Sequence, residues 1–249
     1  MLEIRRLTKH FLGVPALHEV SFIVERGEIA GLIGPNGSGK TTLFDCVTGF
    51  LPPDGGNVLY MDRDITFLAP HRIARLGLTR IFQQVRTFPR LTVMENLRAA
   101  GQQHQGLTLT GGLLRTKRLR DLDRAVDERA RELLDVVQLA STAELPAGTL
   151  SYGQQKLLEI AMALMPRPEL ILLDEPVAGV NPTLIEMIKA YLKRLNGMGT
   201  TFLIIEHNLE VVMDLCDRVF VLDSGELIAQ GPPSVVQEDE RVLEAYFGK

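Results

Sequence analysis

Residues 34–42 read GPNGSGKTT, directly after the apolar run IAGLI and directly before the helix-like run TLFDCVTGF. The spacing fits G-x-x-x-x-G-K-[ST], with Gly34, Gly39, Lys40 and Thr41 in the required places. No other segment restricts the fold as much. A strand must end in a loop whose glycines turn successive N–H groups toward one anion, and a helix must begin there with its positive end aimed at the same point. Lys40 is then placed to reach terminal phosphates, the Thr41 hydroxyl to ligate magnesium, and Thr42 to add a phosphate contact. A Gly-rich turn carrying one exposed lysine is the bland alternative, but it leaves the register of strand, loop and helix unexplained. The loop alone fits GTPases, nucleotide kinases, recombinases and transport ATPases equally well.

Two further apolar runs, LILL (170–173) and FLII (202–205), each lead through polar residues into a helical pattern. Short, fully apolar strands feeding helices suit a parallel sheet covered on both faces. The first run ends in Asp174 and Glu175. Asp174 is suited to hold magnesium through its water shell, and Glu175 to orient or deprotonate the water that attacks the γ-phosphate. The second ends in Glu206 and His207, where a histidine can hydrogen-bond a γ-phosphate oxygen. Gln83, after the β-like TRIF, could donate to metal-bound water. Ser151 and Gln154 of LSYGQQ have the spacing of a capping box, which accounts for Ser and Gln but not for Gly153 between them. That exposed helix start, with its hydroxyl and glycine N–H groups, could also serve a nucleotide bound mainly by another subunit.

Composition narrows the class. In 249 residues, 45% are hydrophobic and 23% charged, ordinary globular usage that excludes a disordered or fibrous chain. With 27 Lys+Arg against 31 Asp+Glu, the formal charge of −4 gives no footprint for non-specific nucleic-acid binding. The apolar runs fall far short of the ~18 residues of a membrane span, and MLEIRRLTKH has no secretory pattern. Cys46 and Cys216 read as isolated core thiols. Helices are predicted after Asn181-Pro182 as far as Asn196-Gly197, after Asn208 as far as Cys216, and over Leu122–Val137. The last has a Leu122, Val126, Ala130, Leu133, Leu134, Val137 stripe and Arg124/Glu128 and Asp127/Arg131 pairs. A hairpin is predicted at RVFVL-DSG-ELIAQ. Between about Leu97 and Gly148 the Gln- and Gly-rich stretches and the basic run Arg115, Lys117, Arg118 and Arg120 read as a mostly helical insertion. The basic run is diluted by neighbouring acids and reads as a solvated face.

The order GPNGSGKTT, Gln83, LSYGQQ, LILLDEP, His207 resembles the nucleotide-binding subunit of ABC transporters over essentially the whole chain. The resemblance implies an α/β fold: a P-loop NTPase (RecA-like) core with an antiparallel β region and an inserted α-helical subdomain. The core would span approximately 1–90 and 155–230, the helical subdomain 91–154, and a short helical tail 231–249. It implies ATP and Mg as ligands, with Asn36, Gly37, Ser38, Gly39, Lys40, Thr41 and Thr42 on the phosphates and Phe11 stacked on adenine. Thr41, Gln83 and Asp174 would face Mg, and Glu175, His207 and Gln83 would act in hydrolysis. Ser151, Gly153 and Gln154 would reach the partner's nucleotide in a head-to-tail dimer. Tyr152 departs from the commonest LSGGQ form, and Asn181 stands where aspartate is usual.

Within the family, TRIFQQVRTFPRLTVMENL, DEPVAGVNP, LIIEHNLEVVM and the ending VLEAYFG resemble ATP-binding subunits of branched-chain amino acid importers. The implied partners are a second ATP-binding subunit, integral membrane permease subunits and, indirectly, a solute-binding protein, with no nucleic acid. The implied place is the cytoplasmic face of the cell membrane. Lipopolysaccharide-export ATPases and soluble non-transport ABC ATPases are the alternatives.

Overall fold

The computed structural model describes residues 1–83, 85–102 and 117–247. The strands are β1 (Leu2–Phe11), β2 (Val14–Val24), β3 (Ile29–Ile33), β4 (Gly55–Tyr60), β5 (Arg63–Asp64), β6 (Leu78–Ile81), β7 (Leu170–Asp174), β8 (Thr201–Ile205), β9 (Arg218–Asp223) and β10 (Glu226–Gly231). The α-helices are α1 (Lys40–Val47), α2 (Pro70–Arg75), α3 (Val93–Gly101), α4 (Lys117–Val136), α5 (Tyr152–Leu164), α6 (Pro182–Gly197), α7 (Leu209–Leu215), α8 (Pro233–Gln237) and α9 (Glu240–Phe247). They sort into two compact units, one of residues 1–83, 169–179 and 185–249, the other of 84–168 and 180–184.

The first unit holds two sheets. One is antiparallel, in the order β2-β1-β4-β5. Its strands alternate, so Leu17, Val20, Phe22 and Val24 of β2 enter the core while Glu19, Ser21 and Ile23 face out. The other has six strands in the order β10-β9-β3-β8-β7-β6, parallel throughout except for the β9–β10 hairpin. Every residue of β3, β7 and β8 is buried, as their unbroken apolar runs require of strands covered on both faces. Gly31 in the middle of β3 lets α7 approach closely: a Cβ there would lie 3.1 Å from both Cys216 Sγ and Val212 Cγ1. The hairpin turn has Ser224 at φ 47° and Gly225 at φ 83°, both left-handed as a tight two-residue turn demands.

This strand order positions the chemistry. Because β3, β8 and β7 are parallel neighbours and β6 flanks β7, the segments leaving their carboxyl ends emerge along one edge of one sheet. Those segments carry Gly34–Thr42, Glu206–His207, Asp174–Glu175 and Gln83 respectively.

In the second unit α3, α4 and α5 pack on one another. Buried Val93, Leu97, Ala130, Leu133, Leu134, Leu158 and Ala161 lie on their facing sides. The predicted α4 stripe is shorter than its pattern suggested, since Leu122 is exposed and burial begins in earnest at Ala130. Asp127 engages Arg98 of α3 through two hydrogen bonds of 2.6 and 3.0 Å instead of serving chiefly its own helix through Arg131, because a bidentate guanidinium outcompetes a pair along one helix face. The unit runs on to residue 168, past the boundary at 154/155 that the sequence suggests. α5 is one continuous hydrogen-bonded helix packed on α3 and α4, so it groups with them. Of the basic run, Arg115 lies outside the described residues, as do most of the Gln- and Gly-rich stretches; Arg120 is exposed.

Candidate active site

Gly37 and Gly39 of the loop after β3 have φ of 81° and 103°, conformations that keep its N–H groups turning inward. Space is as restrictive as torsion, since a Cβ on Gly34 would meet Leu222 O at 2.0 Å and one on Gly39 would meet Ala16 O at 2.4 Å. Lys40, buried at the first turn of α1, donates from Nζ to Gly34 O and Pro35 O, each at 2.9 Å, and to Ser38 Oγ at 3.3 Å. Burial pushes its ammonium down from the ordinary lysine value, against the pull of the Glu175 and Asp174 carboxylates. The loop encloses a cleft of about 230 Å³ between Asn36, Gly37, Gly39, Lys40, Thr41 and Thr42, with Glu175 and His207 closing it across Ile205 and Ala16. Ser38 is buried beneath the loop, its carbonyl accepting the Gly225 N–H.

The two adjacent carboxylates take different environments. Asp174 is the last residue of β7 and is buried, where Arg80 of β6 neutralises it. The Arg80 guanidinium gives Nη2 to Asp174 Oδ2 at 2.9 Å and Nη1 to Asp45 of α1, while its carbon lies 4.8 Å from the Phe82 ring centroid. Glu175 leaves the strand at φ 50°. Its Oε2 accepts from Gln83 Nε2 at 2.7 Å and its Oε1 lies 3.0 Å from His207 Nε2. Three residues selected from distant parts of the sequence thus meet at one carboxylate.

Beneath them Glu206 is buried, with Oε1 accepting the Val177 N–H at 3.1 Å and Oε2 the N–H groups of His207 at 3.1 Å and Asn208 at 3.4 Å. Burial pushes its carboxyl above the ordinary glutamate value, opposed by those donors. The sequence names Glu206 only as a strand-end acid and assigns no role to it or to Arg80. A charge set in or against an otherwise apolar strand, as in LTRI and FLIIE, was the available signal.

The remaining candidates stand elsewhere. Phe11 ends β1, 48% exposed and outside the lining of the cleft. Ser151, Gly153 and Gln154 belong to the second unit. Ser151 accepts the Gln154 N–H at 3.3 Å and Gln154 Oε1 accepts the Ser151 N–H at 3.0 Å, a complete capping box. Gly153 also has a packing reason the spacing did not reveal: a Cβ there would fall 2.1 Å from Leu184 Cδ2. Tyr152 is exposed, and Asn181 Oδ1 accepts the Leu184 N–H at 2.9 Å, the cap an aspartate would supply.

A family model described as ABC transporter matches residues 17–178, and a second, described as branched-chain amino acid ATP-binding cassette transporter, matches residues 226–249. The high-affinity branched-chain amino acid transport ATP-binding protein of Pseudomonas aeruginosa is 40% identical over 100% of this chain and 98% of its own. The chain belongs to the ATP-binding cassette family of ABC transporters.

Among solved structures, the ADP conformation of an ABC transporter cassette matches this one with a TM-score of 0.86 at 38% identity, covering 100% of this chain and 99% of that one. A dimeric bacterial ABC transporter cassette matches at TM-score 0.78 and 26% identity over 94% and 99% of the two chains. The fold expected from the sequence is therefore the fold of this cassette.

Among the described residues of the cassette, no three His, Cys, Asp or Glu side chains gather as a self-sufficient metal cage. The side chains the sequence nominates for a metal are instead a hydroxyl that lines the cleft, Thr41, and a carboxylate and an amide outside its lining, Asp174 and Gln83. Such a sparse oxygen set fits Mg, which completes its octahedron with water and phosphate oxygens. No helix among the described residues is long and apolar enough to cross a membrane.

Proposed function

We propose that this cassette hydrolyses ATP as the motor subunit of a branched-chain amino acid importer, working as a head-to-tail dimer at the cytoplasmic face of the membrane. The observation that carries the catalytic part is the Glu175 carboxylate, held between the Gln83 amide and the His207 imidazole at the mouth of a glycine-rich phosphate cleft. Both of its oxygens are engaged, so its orientation is fixed before substrate arrives. The Asn36–Thr42 backbone receives the phosphates, and Lys40 exchanges its carbonyl partners for terminal phosphate oxygens. Thr41, Asp174 and Gln83 would hold Mg, which when bound would neutralise phosphate charge. Glu175 orients the attacking water or takes its proton, and His207 holds the γ-phosphate oxygen. Phe11 receives the adenine ring.

Ser151, Gly153 and Gln154 of one protomer complete the site of the other. ATP thereby bridges two subunits, hydrolysis removes the bridge, and the alternation drives the permease between access states. The similarity to a dimeric cassette supports this arrangement, and the likeness to the Pseudomonas aeruginosa transport protein supports the substrate class. The solute itself would be recognised by the permease and its binding protein.

The test is Glu175→Gln. It preserves shape and ATP binding but removes the base, so steady-state turnover falls by about a hundredfold or more while a fluorescent ATP analogue still binds. Turnover at the wild-type rate would remove Glu175 from the role assigned to it.

A further inference from the structure

We propose that Glu206 is a positioning residue: its buried carboxylate clamps the segment after β7 to the segment after β8 and so sets Glu175 and His207 at working distance. The inference rests on the catalytic reading of those two residues given above. Its physical basis is independent of that reading. One oxygen of Glu206 holds the Val177 N–H, two residues beyond Glu175, and the other holds the N–H groups of His207 and Asn208. The Glu175 N–H is tied in turn to Ile205 O at 2.9 Å, next to Glu206 itself. A loop of contacts thus runs from Glu206 through each segment and closes at the 3.0 Å approach of Glu175 Oε1 and His207 Nε2.

The choice of side chain follows from the donors it faces. Backbone N–H groups approach both ends of the carboxylate, and only an ionised carboxylate is acceptor-only at both ends. A glutamine must turn its NH₂ toward one set of donors and release one segment. An aspartate is a methylene too short to span both. Continuing the apolar FLII run by one more residue would remove the desolvation cost of a 3%-exposed acid but would leave three N–H groups without this acceptor. A purely structural anchor for α7 would need only the Asn208 side chain, whose Oδ1 already caps that helix by accepting the Val211 N–H at 3.3 Å.

The test is a double-mutant cycle on the full-length chain, pairing Glu206→Gln with His207→Ala and following single-turnover ATP hydrolysis over hours alongside ATP-analogue affinity and thermal melting. Glu206→Gln alone should slow hydrolysis by about tenfold and leave nucleotide affinity within about twofold. In the His207→Ala background it should cost less than about twofold more, because the contact it positions is already gone. Glu206→Asp, which keeps the charge and guards against a misfolded amide variant, should slow hydrolysis to a similar degree. Unaltered turnover in Glu206→Gln, or losses that multiply in the double variant, would overturn the clamp. Failure of the underlying catalytic reading is seen separately, as normal turnover in Glu175→Gln or in His207→Ala alone.

Discussion

The buried guanidinium of Arg80 shows how single residues set the site. It answers Asp45 and Asp174 at once while stacking near Phe82 and Phe44. Removing one partner of such a group leaves an uncompensated charge, and Asp174 is the one left in the interior. Arg80→Ala is therefore expected to lower stability by about 3 kcal/mol in chemical denaturation. Arg80→Lys should recover only part of this, since an ammonium lacks the planar fork that reaches two carboxylates. The glycine-rich loop before α1 and the acidic pair closing β7 are legible in the sequence because their parts are adjacent. Arg80 is not, because its partners lie 35 and 94 residues away and only the parallel pairing of β6 with β7 brings them together. Glu206 was visible as a strand-end acid, but nothing in its neighbours announced that Val177 would donate to it across two strand ends.

At the level of elements, the helix start at Ser151 carries two demands that one residue satisfies. It closes a capping box, and in the proposed dimer its hydroxyl meets the partner's γ-phosphate. Ser151→Ala should cost about 1 kcal/mol of stability, as loss of a cap does, while turnover falls far more than that figure explains. Ser151→Asn separates the demands, since asparagine caps as well as serine but presents no hydroxyl: melting should return to the wild-type value and ATP turnover should stay low. Fully apolar strands and capped helices were readable because burial and backbone satisfaction act locally. β3, with its IAGLI run, and α6, between a capping Asn-Pro and Asn-Gly, have the extents their sequences imply. α4 departs from its pattern, since Leu122 and Asp127 answer to solvent and to Arg98 of another helix, which periodicity does not encode.

At the scale of the whole molecule, each chain of the proposed dimer supplies half of two sites. The phosphate cleft with Glu175, Gln83 and His207 lies within one compact unit, and the Ser151 helix start belongs to the other unit of the chain. In the proposed two-fold dimer each site would take its phosphate loop from one chain and its Ser151 from the second. The direct test is to mix two inactive variants, Lys40→Ala and Ser151→Arg, and measure ATP turnover. Each alone should be nearly inactive, having lost one half of both sites. In an equimolar mixture half of the dimers are mixed, and each mixed dimer regains one intact site, so activity should recover to about a quarter of wild type. A mixture no more active than the sum of its separate parts would contradict composite sites shared between two chains.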